Sequence, residues 1–260
     1  MKWLRYSVNE QIFTGYLKNN ILHAIDGAPW DRWKELGLKH RIDNVKIETP
    51  VIPPTFYAAG LNYVKHINEV AHSRGETPVI PGAADIGYRA VNALIAHGDE
   101  VIIPKDAGEK IHYEAELVAV IGKKVKNISE KDAHSCIFGY TIGNDVSERD
   151  WQKSDRTFFR SKNTDTFKPM GPWIDTEFNI KEALTRVNVN GIQTIEFETQ
   201  AMLFSIATFI SRTSQYATLY PGDVFWMGTD GTSPNIKDGD TVEIEITGLG
   251  KLSNKFVRES

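Results

Sequence analysis

Apolar positions along the chain come mostly in short runs bounded by turn residues, a pattern that predicts strands more often than helices. Trp3–Val8, Gln11–Leu17 and Ile21–Asp26 read as three short strands, and Ala28–Leu36 carries a weak helical pattern. Pro50, Pro53 and Pro54 then punctuate the chain. They set a small N-terminal subdomain, residues 1–50, apart from a larger domain, residues 51–260. In the second unit Thr55–Gly60 predicts a buried strand, Tyr63–Arg74 an amphipathic helix, and Ile111–Ile121 and Phe138–Val146 further strands, the last leading into a polar stretch, Ser147–Asp155. Ser129 and Asp132 resemble a capping box that opens a helix near Glu130–Cys136. Asn190-Gly191, between Val187–Val189 and Thr194–Phe197, suggests a hairpin. Met202–Arg212 has helical spacing, and Val224–Met227 and Thr241–Ile246 read as strands. The expected fold is mostly β with some helix, an α+β chain without internal repeats.

Composition narrows the classes of function. Of 260 residues, 41% are hydrophobic and 25% charged, as in an ordinary globular protein. Thirty basic residues against thirty-four acidic ones leave a net charge of −4, which gives no footprint for nucleic acid or an anionic membrane. The single cysteine, Cys136, excludes an intramolecular disulfide framework and multi-cysteine zinc patterns. No apolar leader opens the chain and no run approaches a membrane span, so a cytoplasmic protein is the expectation. Glycine-rich phosphate loops, Gly-x-Ser-x-Gly and His-Glu-x-x-His are all missing.

Four stretches could carry chemistry. In a strand over Ile111–Ile121, His112, Glu114 and Glu116 share one face at spacings of about 7 Å, continued by Val118 and Val120, while Tyr113, Ala115, Leu117, Ala119 and Ile121 line the other. A strand apolar on both faces is buried, and two buried carboxylates need a cation or a proton. Alone, Glu-x-Glu is more often an ordinary solvated pair. Asn144-Asp145, at the end of another apolar strand, offers a third oxygen, and the set suits Mg²⁺, Mn²⁺ or Ca²⁺ rather than zinc. On the expected helix, Glu69 lies three residues from His66 and can orient it as a general base, although Lys65 is an equally ordinary partner for Glu69. Lys162, in the donor-rich stretch Arg160–Phe167 near Arg149 and Gln152, could hold an oxyanion or a substrate carboxylate, or be a plain loop lysine. Gly228-Thr229-Asp230-Gly231-Thr232 is either a turn or a place where backbone N–H groups approach a ligand.

The order of these motifs is more informative than any one of them. His112–Gly122 (His-Tyr-Glu-Ala-Glu-Leu-Val-Ala-Val-Ile-Gly), Gly139–Gln152 (Gly-Tyr-Thr-Ile-Gly-Asn-Asp-Val-Ser-Glu-Arg-Asp-Trp-Gln), Lys162 with Asp165-Thr166-Phe167 and Gly171-Pro172-Trp173, and Tyr220-Pro221-Gly222-Asp223 before Gly228-Thr229 resemble the fumarylacetoacetate hydrolase family from about Thr55 to the C-terminus. The resemblance implies a mixed β-roll with a small N-terminal subdomain and one divalent metal, Mg²⁺ or Mn²⁺ with Ca²⁺ as a further candidate, bound by Glu114, Glu116 and Asp145. It implies that Lys162 is the active-site lysine, that His66 and Glu69 form a dyad on a lid, and that Arg149, Gln152 and Thr229 face the substrate. Arg89 stands where a lysine is usual, Asn163-Thr164 replace Ser-Phe after Lys162, and Asp230 replaces a proline after Thr229. These departures bear on the substrate more than on the metal.

What the resemblance implies functionally is a metal-dependent enzyme acting on a small 2-oxo acid, foremost by hydrolysing a C–C bond of an acylpyruvate or similar 1,3-dicarbonyl with water activated by His66. Decarboxylation of a β-keto acid such as oxaloacetate, isomerisation of an unsaturated 2-oxo diacid and ureidoglycolate-type lyase cleavage could use the same enolate-stabilising site. The rival from another class is a catalytically silent 2-oxo-acid-binding protein. A homodimer is a further implication of the resemblance.

Overall fold

A computed structural model describes residues 1–73 and 75–260. Its N-terminal strands β1 (Lys2–Val8), β2 (Gln11–Lys18), β3 (Ile21–Gly27) and β4 (Trp33–Arg41) form an antiparallel meander. The helical expectation for Ala28–Leu36 is therefore corrected. Asp31 N–H closes a turn onto the Ala28 carbonyl at 3.0 Å, and the chain from Trp33 pairs with β3 (Gly27 with Trp33, Ile25 with Glu35). Strand pairing overrides a helical pattern too weak to bury a face.

The meander is not a separate sheet. β1 pairs with Lys168–Asp175, and the same sheet continues through Ile137–Asn144, Ala115–Ile121, Val224–Trp226, Phe56–Ala59 and Ile86–Tyr88. The Val224–Trp226 and Phe56–Ala59 pair is parallel and its neighbours antiparallel, so the sheet is mixed. A second sheet runs in the order Ile192–Glu198, Leu184–Val189, Thr241–Ile246, Gly250–Arg258, Val101–Ile103. Its first hairpin turns through Asn190-Gly191 with both residues at positive φ (+53° and +79°), the left-handed pair that a two-residue turn demands.

Ala115–Ile121 lies in the middle of the large sheet and is buried throughout. Leu117, Ala119 and Ile121 enter the main core between the sheets, with Ile244, Leu252 and Phe256. Val118 and Val120 pack on the opposite face with Trp3, Tyr16 and Trp226. The expected two-faced alternation is what lets one strand join both cores.

The expected continuous strand Ile111–Ile121 is, however, two pieces. Ile111–His112 pairs with Ser147–Glu148, and Ala115–Ile121 begins after a break at Tyr113-Glu114. Backbone groups at the break find side-chain partners instead of a ladder: Tyr113 N–H donates to Ser233 Oγ (3.1 Å) and Glu114 N–H to Asn144 Oδ1 (3.0 Å).

Five helices are described: α1 (Val64–Ser73), α2 (Glu130–Ala133), α3 (Arg149–Ser154), α4 (Phe159–Asn163) and α5 (Ile206–Tyr216). Arg74, the last residue of the helix expected over Tyr63–Arg74, lies outside the described residues. Ser129 caps α2 by accepting from Asp132 N–H, as the sequence suggests, and a 3₁₀ turn, His134–Cys136, completes that segment. The polar stretch Ser147–Asp155 is not a loop, because the Glu148 carboxylate accepts from Trp151 N–H and starts α3. α5 begins later than the spacing over Met202–Arg212 indicates, at the Ser205 cap. None of the described helices is long and apolar enough to cross a membrane.

Candidate active site

Three carboxylates converge where Ala115–Ile121 and Ile137–Asn144 end side by side. The Asp145 N–H donates to the Glu114 carbonyl at 2.9 Å, which locks the two strand ends together. Glu116 keeps its place in the strand, on the face of Val118 and Val120, whereas the break at Tyr113-Glu114 re-aims Glu114. One carboxylate oxygen from each of Glu114, Glu116 and Asp145 then lies within 4.8 Å of the others, closer than the roughly 7 Å of an unbroken strand. All three side chains are buried.

Cations surround two of the three acids. Asp145 receives Arg89 through Nε (3.2 Å) and Nη2 (2.8 Å), Lys162 Nζ at 2.9 Å and Lys168 Nζ at 2.8 Å. Glu114 receives Lys162 Nζ and, at 2.7 Å, Arg149 Nη2. Burial by itself would raise the Asp145 carboxyl, but Arg89, Lys162 and Lys168 outweigh it and hold it well below the usual carboxylate range. For Glu114 burial is likewise outweighed, by Lys162 and Arg149, and its carboxyl falls to about 2. Glu116 has no ion pair among the described residues. Burial first, then the charges of Asp145 and Glu114, push it up to about 8, although Gly228 N–H donates to its Oε2 at 2.7 Å. Gly228 stands at φ +84°, a conformation that suits glycine and lets its N–H reach the carboxylate.

This asymmetry tests the metal reading. A buried carboxylate lacking a counter-charge, within reach of two further oxygen donors in a cluster without a cysteine, fits a hard divalent cation. Glu114, Glu116 and Asp145 could hold one.

Two connected cavities open on this cluster. The inner one, about 280 Å³, is lined by His66, Arg89, Glu114, Glu116 and Lys162 among others. The outer one, about 880 Å³, shares His66, Glu114, Arg149, Gln152, Phe158 and Thr229 with it and extends to Glu69, His112 and Asn235. Nine of the ten candidates read from the sequence thus line one cavity or the other, and the tenth, Asp145, lies behind them as the partner of Arg89.

Individual partners differ from expectation. The His66 ring is held by the Gly231 carbonyl (Nδ1 to O, 2.6 Å) and not by Glu69, whose Oε2 is buried without a partner among the described residues. A peptide carbonyl only accepts, so Nδ1 carries the proton and the neutral ring keeps its lone pair on Nε2. Arg89 and Arg149 engage Asp145 and Glu114 rather than standing free. Lys168, fully buried and also donating to the Val146 and Phe167 carbonyls at 2.9 Å, escaped the sequence reading altogether. Burial lowers its ammonium to about 8 against the pull of Asp145. Its only signal in the sequence is a lysine at the head of an apolar segment, Lys168–Asp175, whose two prolines and glycine disguise a strand.

A buried acidic triad at paired strand ends, backed by lysines and arginines under a helix-borne histidine, makes a candidate enzyme site on a mixed α+β roll. The chain belongs to the fumarylacetoacetate hydrolase family: the family model described as fumarylacetoacetate (FAA) hydrolase C-terminal matches residues 55–257. A second model, Rv2993c-like, N-terminal, matches residues 1–50. Among curated proteins, the fumarylacetoacetate hydrolase domain-containing protein 2 homolog of Dictyostelium discoideum is 37% identical over 234 residues, covering 82% of this chain and 74% of that protein. Oxaloacetate tautomerase YisK of Bacillus subtilis is 33% identical over 251 residues, covering 91% and 82%. Among solved structures, 5-carboxymethyl-2-hydroxymuconate delta-isomerase from Mycobacterium smegmatis superposes with a TM-score of 0.90 at 32% identity, covering all of both chains.

Proposed function

We propose that this enzyme interconverts tautomers or double-bond isomers of a 2-oxo acid through its enolate, with Mg²⁺ as the cation held by Glu114, Glu116 and Asp145. The observation that carries this reading is the inner cavity, where His66, Glu114, Glu116, Arg89 and Lys162 line one space, with Asp145 behind them as the partner of Arg89 and Lys162. When bound, the cation supplies Lewis-acid stabilisation for negative charge on the oxygen of the 2-oxo group. His66 Nε2 accepts the proton from the carbon next to that carbonyl, and the C–H electron pair becomes the enolate. Lys162 and Arg89 keep positive charge beside the enolate. Return of the proton from His66 to oxygen completes a tautomerisation, and its return to another carbon of a conjugated substrate completes an isomerisation. One base with a free lone pair is sufficient for both. The names of the Bacillus and Mycobacterium proteins support the same chemistry.

Hydrolysis of an acylpyruvate is the second reading, favoured by the unpartnered Glu69 carboxylate oxygen beside His66 in the outer cavity. A water-attack mechanism needs that carboxylate to stabilise the imidazolium. The deciding experiment follows loss of enol absorbance from oxaloacetate and, separately, cleavage of acetylpyruvate, each with and without chelator. We expect chelator-sensitive tautomerisation that falls about 10²–10⁴-fold in His66→Ala. Turnover indifferent to both chelator and His66→Ala would overturn the reading, and acetylpyruvate cleavage lost in Glu69→Gln would favour hydrolysis.

A further inference from the structure

The helix that carries His66 has no cap of its own. The first bond within α1 runs from Ile67 N–H to the Tyr63 carbonyl at 3.0 Å, which places Tyr63 at the cap position. A capping side chain normally offers a short acceptor to an N–H two or three residues on, and the third residue here is His66. Tyr63 cannot supply one: its ring is buried and its hydroxyl donates to the Thr199 carbonyl at 2.8 Å. The acceptor comes instead from Asp230, 164 residues away, whose Oδ1 takes His66 N–H at 3.0 Å and Gly231 N–H at 2.9 Å. Gly231 closes a second link, because its carbonyl receives His66 Nδ1 at 2.6 Å. One residue of the helix is therefore held twice, by backbone and by ring, from two neighbouring residues of one loop. That loop is itself braced: Gly231 is buried, and a Cβ on it would come within 1.9 Å of Ile195 Cδ1 in the second sheet.

We propose that Asp230 is a positioning residue for the reaction: by capping α1 from a distant loop it fixes His66 at the inner cavity, with Nε2 left to act as the base. This rests on the reading of His66 as the base and adds the group that holds that base in place. Asp230 acts through His66 and does not touch the reacting atoms. Both of its bonds are to backbone N–H groups, so a neutral acceptor of the same shape can replace it, whereas a methyl group cannot. The carboxylate adds attraction for the positive end of the helix dipole. A proline, expected after Thr229 from the family resemblance, has no side-chain acceptor, and the cap therefore belongs to chains with an acceptor at this position. Without it the first turn of α1 frays and the His66 ring loses its fixed setting. Misplacing a base that already faces a bound substrate lowers turnover more than binding.

The test compares Asp230→Ala with Asp230→Asn in oxaloacetate tautomerisation by the Mg²⁺-loaded enzyme and, independently of turnover, in heteronuclear NMR of protein labelled in its histidines. Asp230→Ala should lower kcat roughly tenfold with KM changed less than about twofold, and Asp230→Asn should restore most of the rate. In a His66→Ala background Asp230→Ala should have no further effect, because a residue that acts through His66 then has nothing to hold. The unsubstituted protein should show His66 with its proton on Nδ1, the signals being identified by their loss in His66→Ala. Asp230→Ala should move them toward the averaged signals of an unrestrained imidazole, and Asp230→Asn should not. Asp230 is only half-buried, so its replacement leaves the core intact, and circular dichroism verifies each variant. An unchanged kcat in Asp230→Ala, an additive loss in the His66→Ala background, or an unaltered His66 tautomer would overturn the inference. Absence of chelator-sensitive turnover in the unsubstituted enzyme sinks the proposed reaction alone, since the NMR comparison still decides whether Asp230 sets the His66 ring.

Discussion

The inner and outer cavities use the same kinds of side chain under opposite conditions. Around the triad, Glu114, Glu116, Asp145, Lys162 and Lys168 are all buried, and the acids and bases are within hydrogen-bond reach of one another with the exception of Glu116. At the outer rim, Lys110, Lys153 and Asp150 are about half exposed or more. Low dielectric inside makes each charge depend on its neighbours, whereas solvent outside leaves each rim charge nearly independent. The inner cluster therefore couples its charges to folding. The outer rim carries its charges at little cost to stability.

The contrast can be broken most severely at Glu116. Glu116→Gln keeps the shape and removes the charge, and should weaken Mn²⁺ or Mg²⁺ binding about a thousandfold, roughly 4 kcal/mol, in a calorimetric titration. An affinity within tenfold of the original would show that the triad does not hold the cation. Acidity gives the next test. The Glu116 carboxyl is raised in the folded protein, by burial and then by Asp145 and Glu114, from an ordinary value near 4.5 to about 8. Between those values the folded state keeps a proton that the unfolded chain has released, so this group's stabilisation is complete below pH 4.5 and is lost as pH rises through 8. Metal-free protein should lose about 3 kcal/mol from this group between pH 5 and 7.5, seen in urea unfolding, and saturating Mg²⁺ should flatten the slope. A slope unaffected by Mg²⁺ would assign the pH dependence elsewhere.

Lys168→Met retains the apolar stem and deletes the ammonium, leaving Asp145 and two backbone carbonyls without that donor. Arg89 and Lys162 remain, so the loss should be at the low end for a broken buried pair, about 3 kcal/mol in chemical denaturation. A change under 1 kcal/mol would mean that the cluster is less tightly coupled than its geometry indicates. The smallest effect is expected at the rim, where Lys153→Gln should alter stability by less than about 0.5 kcal/mol. A larger loss would erase the distinction between the two regions.

Much of the site was legible because chemistry and strand alternation are local properties. His112–Ile121 announced two acids at the end of a doubly buried strand, and Ala115–Ile121 does join two cores. Order along the chain carried the rest of the family resemblance. Illegible were the features made by distant contacts: the break at Tyr113-Glu114 is held by Ser233 and Asn144, Arg89 meets Asp145 across 56 residues, and Gly231 rather than Glu69 holds His66 across 165. Lys168 hid in a segment rich in proline and glycine, and Trp33–Arg41 is a strand because β3 offers it a ladder.

By itself, then, the sequence determined the donor chemistry: hard oxygen donors without thiolates, a histidine on an amphipathic helix, and basic residues in a polar segment. Those are properties of residue types and of spacing within one element. Which oxygens converge, which cations neutralise them and which nitrogen of His66 is free were decided only by the tertiary structure. A buried charge takes the state that its neighbours impose, and those neighbours come from strands, turns and helices far apart in the chain.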